Sequence, residues 1–160
     1  MHVNMPRAGI AGEMSAEEGQ KMRHIEFTVF GEPQGKARPR FTRLGRAYTT
    51  KKTADYEKHI QEVFMDCYPR WSKPLETDLK ITVIALFEPA KSYSKRMIED
   101  CLEGLIRPHK KPDADNIAKV VLDALNGLVY EDDKQVTMLK VKKRYDTVAR
   151  IEIMIQDDVE

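Results

Sequence analysis

Asp113, Asp115, Lys119 and the pair Asp132 and Asp133 are the residues of this chain whose types and spacing suit catalysis. Three or four carboxylates meeting near one point repel, and their pKa values rise unless a cation neutralises them, so a hard divalent metal is the economical expectation. Oxygen-only ligands favour Mg2+, with Mn2+ also suitable, over zinc. A neighbouring lysine adds a positive charge that can stabilise a phosphoryl group or its leaving oxygen. That combination is equipment for phosphodiester hydrolysis.

The same residues have plainer readings. Asp115 could be a helix N-cap, Asp132 and Asp133 a loop, and Lys119 with Asp123 an i,i+4 ion pair worth about 0.3 kcal/mol. A calcium loop is excluded, because Ala118 and Ala124 stand where its glycine and bidentate glutamate belong. His24, His59 and His109 are isolated, and an isolated histidine is more often packing or surface than a general base. Tyr48, Trp71 and Tyr130 could stack on bases, although packing is the commoner use of such side chains.

A second feature concerns binding. From Lys36 to Lys52 the chain carries Lys36, Arg38, Arg40, Arg43, Arg46, Lys51 and Lys52 with no acidic residue, interrupted by Gly35, Pro39 and Gly45. It reads as a basic loop or hairpin able to grip phosphates, as do Lys110 and Lys111 beside the acidic residues. Lys140, Lys142 and Arg144 alternate on one strand face, which suits solvent and DNA equally.

The elements that must position these groups follow from periodicity. Ile117, Val120, Val121, Ala124, Leu125 and Leu128 keep to one side of a helix predicted over Asp115 to Gly127, with Asp115 as its cap and Gly127 as its stop. Asp115, Lys119, Asp123 and Asn126 then share the opposite face, while Asp113 lies just before it on a lead-in expected to be extended at Lys111 and Pro112. A helix through Tyr56, Ile60, Val63, Phe64 and Cys67 stops before Pro69, and a shorter one through Met97, Ile98, Cys101 and Leu102 stops at Gly104. Strands are predicted from His24 to Gly31, from Leu79 to Phe87 in a central position, and over Gln135–Tyr145 and Val148–Gln156 with a tight turn at Asp146 and Thr147. The order implies one α+β domain with a mixed or antiparallel sheet and helices packed on it.

At 160 residues and 41% hydrophobic content, one compact domain is the expectation. Residues 1–22 lack apolar periodicity and read as a disordered leader, leaving the domain to residues 23–160. The 27 Lys and Arg nearly balance the 26 Asp and Glu, which excludes a global basic field and makes any nucleic-acid signal local. Cys67 and Cys101 lack zinc or disulfide-framework spacing. No apolar run approaches the ~20 residues that span a bilayer, so a soluble, cytoplasmic protein without membrane contact is expected.

The run KPDADNIAKVVLDALNGLVYEDDKQV, Lys111 to Val136, resembles the signature of the RusA family of Holliday-junction resolvases. Gly35-Lys36-Ala37-Arg38-Pro39-Arg40-Phe41 is similar to that family's N-terminal basic motif, and Ser94-Lys95-Arg96 through His109-Lys110-Lys111 fits its phage and Gram-positive-type members. The resemblance covers residues 24 to 156 in order. It implies a RusA-like fold, metal-binding aspartates at Asp113, Asp115 and Asp133 with Asp132 as a further ligand, and a catalytic lysine at Lys119. Asn116 and Asp123 fall inside the motif and are assigned supporting roles. Homodimers, magnesium dependence, paired nicks across a four-way DNA junction and frequent carriage by prophages are also implied. Two rival readings remain: a dimer that binds junctions without cutting them, and a different Mg2+-dependent nuclease or phosphohydrolase.

Overall fold

The alternation of Ile25, Phe27 and Val29 puts three apolar side chains on one side of β1 (His24–Phe30), and all three are buried. The computed structural model describes residues 23–159, so the leader expected over residues 1–22 lies outside the described residues. The basic segment is a hairpin, in which β2 (Arg40–Phe41) pairs antiparallel with β3 (Ala47–Tyr48). Gly45 turns it with a φ of 76°, a conformation glycine takes without strain.

Helix α1 (Lys51–Cys67) begins where the Thr50 side chain accepts a hydrogen bond from the Thr53 backbone N–H. Its Tyr56, Ile60 and Phe64, four residues apart, form one buried stripe. β4 (Leu79–Phe87) buries Leu79, Ile81, Val83, Ala85 and Phe87 on one face and half-buries Thr82 and Ile84 on the other. α2 (Lys95–Leu102) starts at Ser94, whose side chain caps the Met97 N–H, and Gly104 follows it with a φ of 83°.

α3 (Ala114–Leu125) buries Ile117, Val120, Val121, Ala124 and Leu125. A 3-10 turn (Asp133–Gln135) leads into β5 (Val136–Tyr145), and β6 (Arg150–Asp157) ends the domain. The sheet order is β1-β6-β4-β5, with β4 parallel to β5 and antiparallel to β6. The fold is therefore α+β with a mixed sheet. Tyr56, Ile60 and Phe64 of α1 and the apolar stripe of α3 join the inward side chains of β1, β4 and β6 in one core.

The tight turn after Tyr145 does not make a hairpin. β5 and β6 are separated by β4, and the Asp146 N–H donates to the Phe87 carbonyl at 2.9 Å as the connection passes the end of β4. Burial decides this: β4 is apolar enough for a central place, whereas lysine-rich β5 has no fully buried residue and takes an edge.

Candidate functional site

Gly35 lies so close to the start of α3 that a Cβ there would sit 2.7 Å from Pro112 Cβ and 3.0 Å from Asn116 Cβ. The Lys36 N–H donates to the Asn116 carbonyl at 2.9 Å, and the Ala37 N–H donates to the Thr53 hydroxyl at 3.3 Å. The first basic motif is thus docked between α1 and the acidic lead-in of α3. A groove of about 830 Å³ runs along this junction, with Lys36, Arg38, Lys52 and Lys111 against Glu32 and Asp113 in its lining.

The helix start differs from expectation. Asp113, not Asp115, occupies the N-cap position, and its side chain makes no capping hydrogen bond. Asp115 sits in the first turn, and the lead-in is a bend with a cis Lys111–Pro112 peptide instead of an extended run. Both carboxylates are exposed, and neither makes a hydrogen bond or ion pair with another described residue. Lys119 is exposed one turn further on, and its anticipated partner Asp123 is taken by Lys36 at 3.0 Å.

Lys36 also contacts Glu57 Oε1 at 2.5 Å, with only 15% of its side chain exposed. Burial opposes its charge, but the hydrogen bonds to Glu57 and Asp123 outweigh burial and raise its pKa above the ordinary lysine value. Lys36 therefore ties the loop, α1 and α3 together instead of offering its ammonium to phosphate. Glu57 was not singled out by the sequence reading, because nothing local pairs it with a residue 21 positions away.

Asp132 is a structural cap: its carboxylate accepts from the Lys134 N–H, which lowers the Asp132 pKa, while Gln135 Oε1 accepts from the Asp132 N–H. Asp133 is pushed up by local desolvation, then by Asp132 and by the negative charge of Asp123. The expected meeting of three or four carboxylates is not found: among the described residues no group of three or more His, Cys, Asp or Glu could hold a metal ion.

The pair at the start of α3 nonetheless fits a hard cation by its donor chemistry. Magnesium keeps several waters and commonly takes one or two carboxylates together with substrate phosphate oxygens. Two exposed aspartates unused by capping or ion pairing, beside a cation-lined groove, offer that set.

Of the other sequence candidates, Arg38, Lys111 and Asn116 line this groove. Arg38, Arg40, Arg43, Arg46 and Lys111 are exposed. Lys110 bonds Glu32 at 3.0 Å and lies 5.0 Å from the Phe87 ring, and its carbonyl accepts from Lys143 Nζ. Asn116 is half-buried and serves the loop through its backbone carbonyl. Tyr130 is buried, its hydroxyl donating to the Leu122 carbonyl, and Trp71 donates to the Leu128 carbonyl, so neither stacks on bases.

The sequence profile of the family described as endodeoxyribonuclease RusA matches residues 31–156, which contain the basic motif, α3 and both acidic groups. The chain belongs to the RusA family. A curated relative, the uncharacterized protein YqaN of Bacillus subtilis (strain 168), is 38% identical over 138 residues, spanning 83% of this chain and 96% of that protein. RusA-family proteins are endodeoxyribonucleases of the Holliday-junction resolvase type, so this chain falls in a DNA-processing class. Among the described residues no helix is long and apolar enough to cross a membrane.

Proposed function

We infer that this RusA-family chain is a Mg2+-dependent, structure-specific endodeoxyribonuclease that resolves four-way junctions in the cytoplasm by paired phosphodiester hydrolysis. The observation that carries the reading is the pair Asp113 and Asp115, exposed and unengaged at the head of α3 beside a groove lined with cations. Magnesium held there would supply Lewis acidity toward a phosphate oxygen and a water of lowered pKa. Asp133 is proposed as a further ligand, and Asp132 stands next to it as its cap-forming neighbour.

The chain's own residues have distinct tasks in this reading. Asp113 and Asp115 would hold the cation at the head of α3, beside the groove. Lys119 faces the charge that develops on the phosphoryl group or its leaving oxygen. Arg38, Arg40, Arg43 and Arg46 of the hairpin, with Lys111, hold neighbouring phosphates and set the register of the DNA. Asn116 and Asp123 keep the groove in shape, the first through its carbonyl to Lys36 and the second through the Lys36 ammonium. Products would carry a 5′ phosphate and a 3′ hydroxyl.

A four-way junction has approximate two-fold symmetry, and a homodimer with one site per subunit would suit paired incision. Incubating the protein with a labelled four-way junction, a linear duplex and a single strand, with and without Mg2+, tests the reading. Symmetric nicks in the junction alone, only with Mg2+, are expected. Binding without cutting would favour a non-catalytic junction-binding dimer, and equal cutting of all three substrates a less selective nuclease.

A further inference from the structure

β5 occupies one edge of the sheet, and its registered partners on β4 assign its side chains to faces. Lys140, Lys142 and Arg144 align with Thr82, Ile84 and Leu86, on the face opposite the core residues Ile81, Val83 and Ala85. They stand about 6.6 Å apart along the strand, at two residues per step. Lys140 and Arg144 are exposed and Lys142 is half-buried. Among the described residues none of the three has an ion-pair partner. Lys142 is held below the ordinary lysine pKa by Lys140, by Arg144 and, after slight desolvation, by Arg107.

Neutral packing does not explain such a stripe, since like charges at this spacing repel and no described carboxylate forms an ion pair with any of the three. The other side of β5 belongs to the candidate site: Lys143 donates to the Lys110 carbonyl, three residues before Asp113. Arg107, whose charge Lys142 feels, is six residues from Asp113 and so lies within about 20 Å of it, roughly the reach of six extended residues.

The geometry points to the outer face of β5, with Lys140, Lys142 and Arg144, as a second DNA surface that holds the phosphate backbone of a duplex arm. This rests on the nuclease reading for the identity of the DNA, and deepens it by adding a surface on a different sheet from the basic hairpin. A row of cations without hydrogen-bonding partners supplies charge without base readout, so it grips any sequence. Its effect is felt through counterion release and is therefore steeply salt-dependent.

The test compares the full chain with the triple variant Lys140→Gln, Lys142→Gln, Arg144→Gln, binding a four-way junction and a linear duplex in EDTA over a series of salt concentrations. Each lost phosphate contact reduces the slope of log K against log salt by about 0.9, so the triple variant should lose about 2 to 3 units on both DNAs. Identical slopes and affinities for variant and parent would overturn the stripe while leaving junction cutting by the parent in Mg2+ as separate support for the nuclease reading. A parent that binds DNA but never cuts would sink the nuclease reading, with the stripe still judged by the slopes; a parent that binds neither DNA would overturn both. Should the variant not fold, acetylation of the parent with and without junction decides. Protection of Lys140 and Lys142 but not of Lys58 on α1 supports the surface, and equal labelling overturns it.

Discussion

Lys36 and Arg38 stand two residues apart in one basic motif, yet their surroundings give them opposite tasks. Lys36 neutralises Glu57 and Asp123, and replacing it by alanine leaves two partly buried carboxylates without a cation. Lys36→Ala should lower the unfolding free energy by about 1–3 kcal/mol in chemical denaturation, whereas Arg38→Ala should stay within about 0.5 kcal/mol and weaken DNA binding instead. Because the folded Lys36 pKa is raised, its contribution is complete below the ordinary value of 10.5 and is lost only as pH climbs through the folded pKa. Loss of the Lys36 effect near neutral pH in denaturation series would contradict this. The motif's basic character was legible in the sequence, but this division of labour was not, because it depends on α1 and α3 meeting beneath the loop.

At the scale of elements, the approach of the Gly35 loop to α3 sets the width of the groove. Gly35→Ala must displace either the loop or the helix start, since its Cβ would lie 2.7 Å from Pro112 Cβ. A loss of about 1–3 kcal/mol is expected from such crowding, together with slower cutting; denaturation midpoints and junction cleavage rates check both. α3 itself was readable to within two residues because six apolar side chains follow the helical period. Its cap was not, since Asp113 and Asp115 are chemically equivalent candidates two residues apart, and the helix takes the first of them. The β5–β6 turn misled for a related reason: turn residues specify a reversal, while the choice of strand neighbour belongs to the burial of β4.

Across the whole molecule, the sheet is closed at the β1 and β6 end by Asp157, which binds the Arg23 backbone and guanidinium and the Thr77 hydroxyl. Burial tends to raise its pKa, but these donors prevail and hold it below the ordinary carboxylate range. A depressed folded pKa contributes stability above the unfolded value and forfeits it as pH falls through the folded one. Asp157→Asn should therefore cost about 1 kcal/mol at neutral pH and flatten the fall of the thermal midpoint in acid, as melts between pH 2 and pH 7 would register. The overall α+β order, the central β4 and the single core followed from hydrophobic period alone. The arrangement of the acidic residues did not, because their spacing along the chain does not fix where the Asp132–Asp133 turn lies relative to the head of α3. The central claim concerns the two unengaged carboxylates at the head of that helix. Its most direct test is Asp115→Asn, assayed for cutting of a labelled four-way junction in Mg2+ and for junction binding in EDTA. The account predicts cutting reduced at least about a hundredfold with binding retained or tightened; cutting at the parent's rate would contradict it.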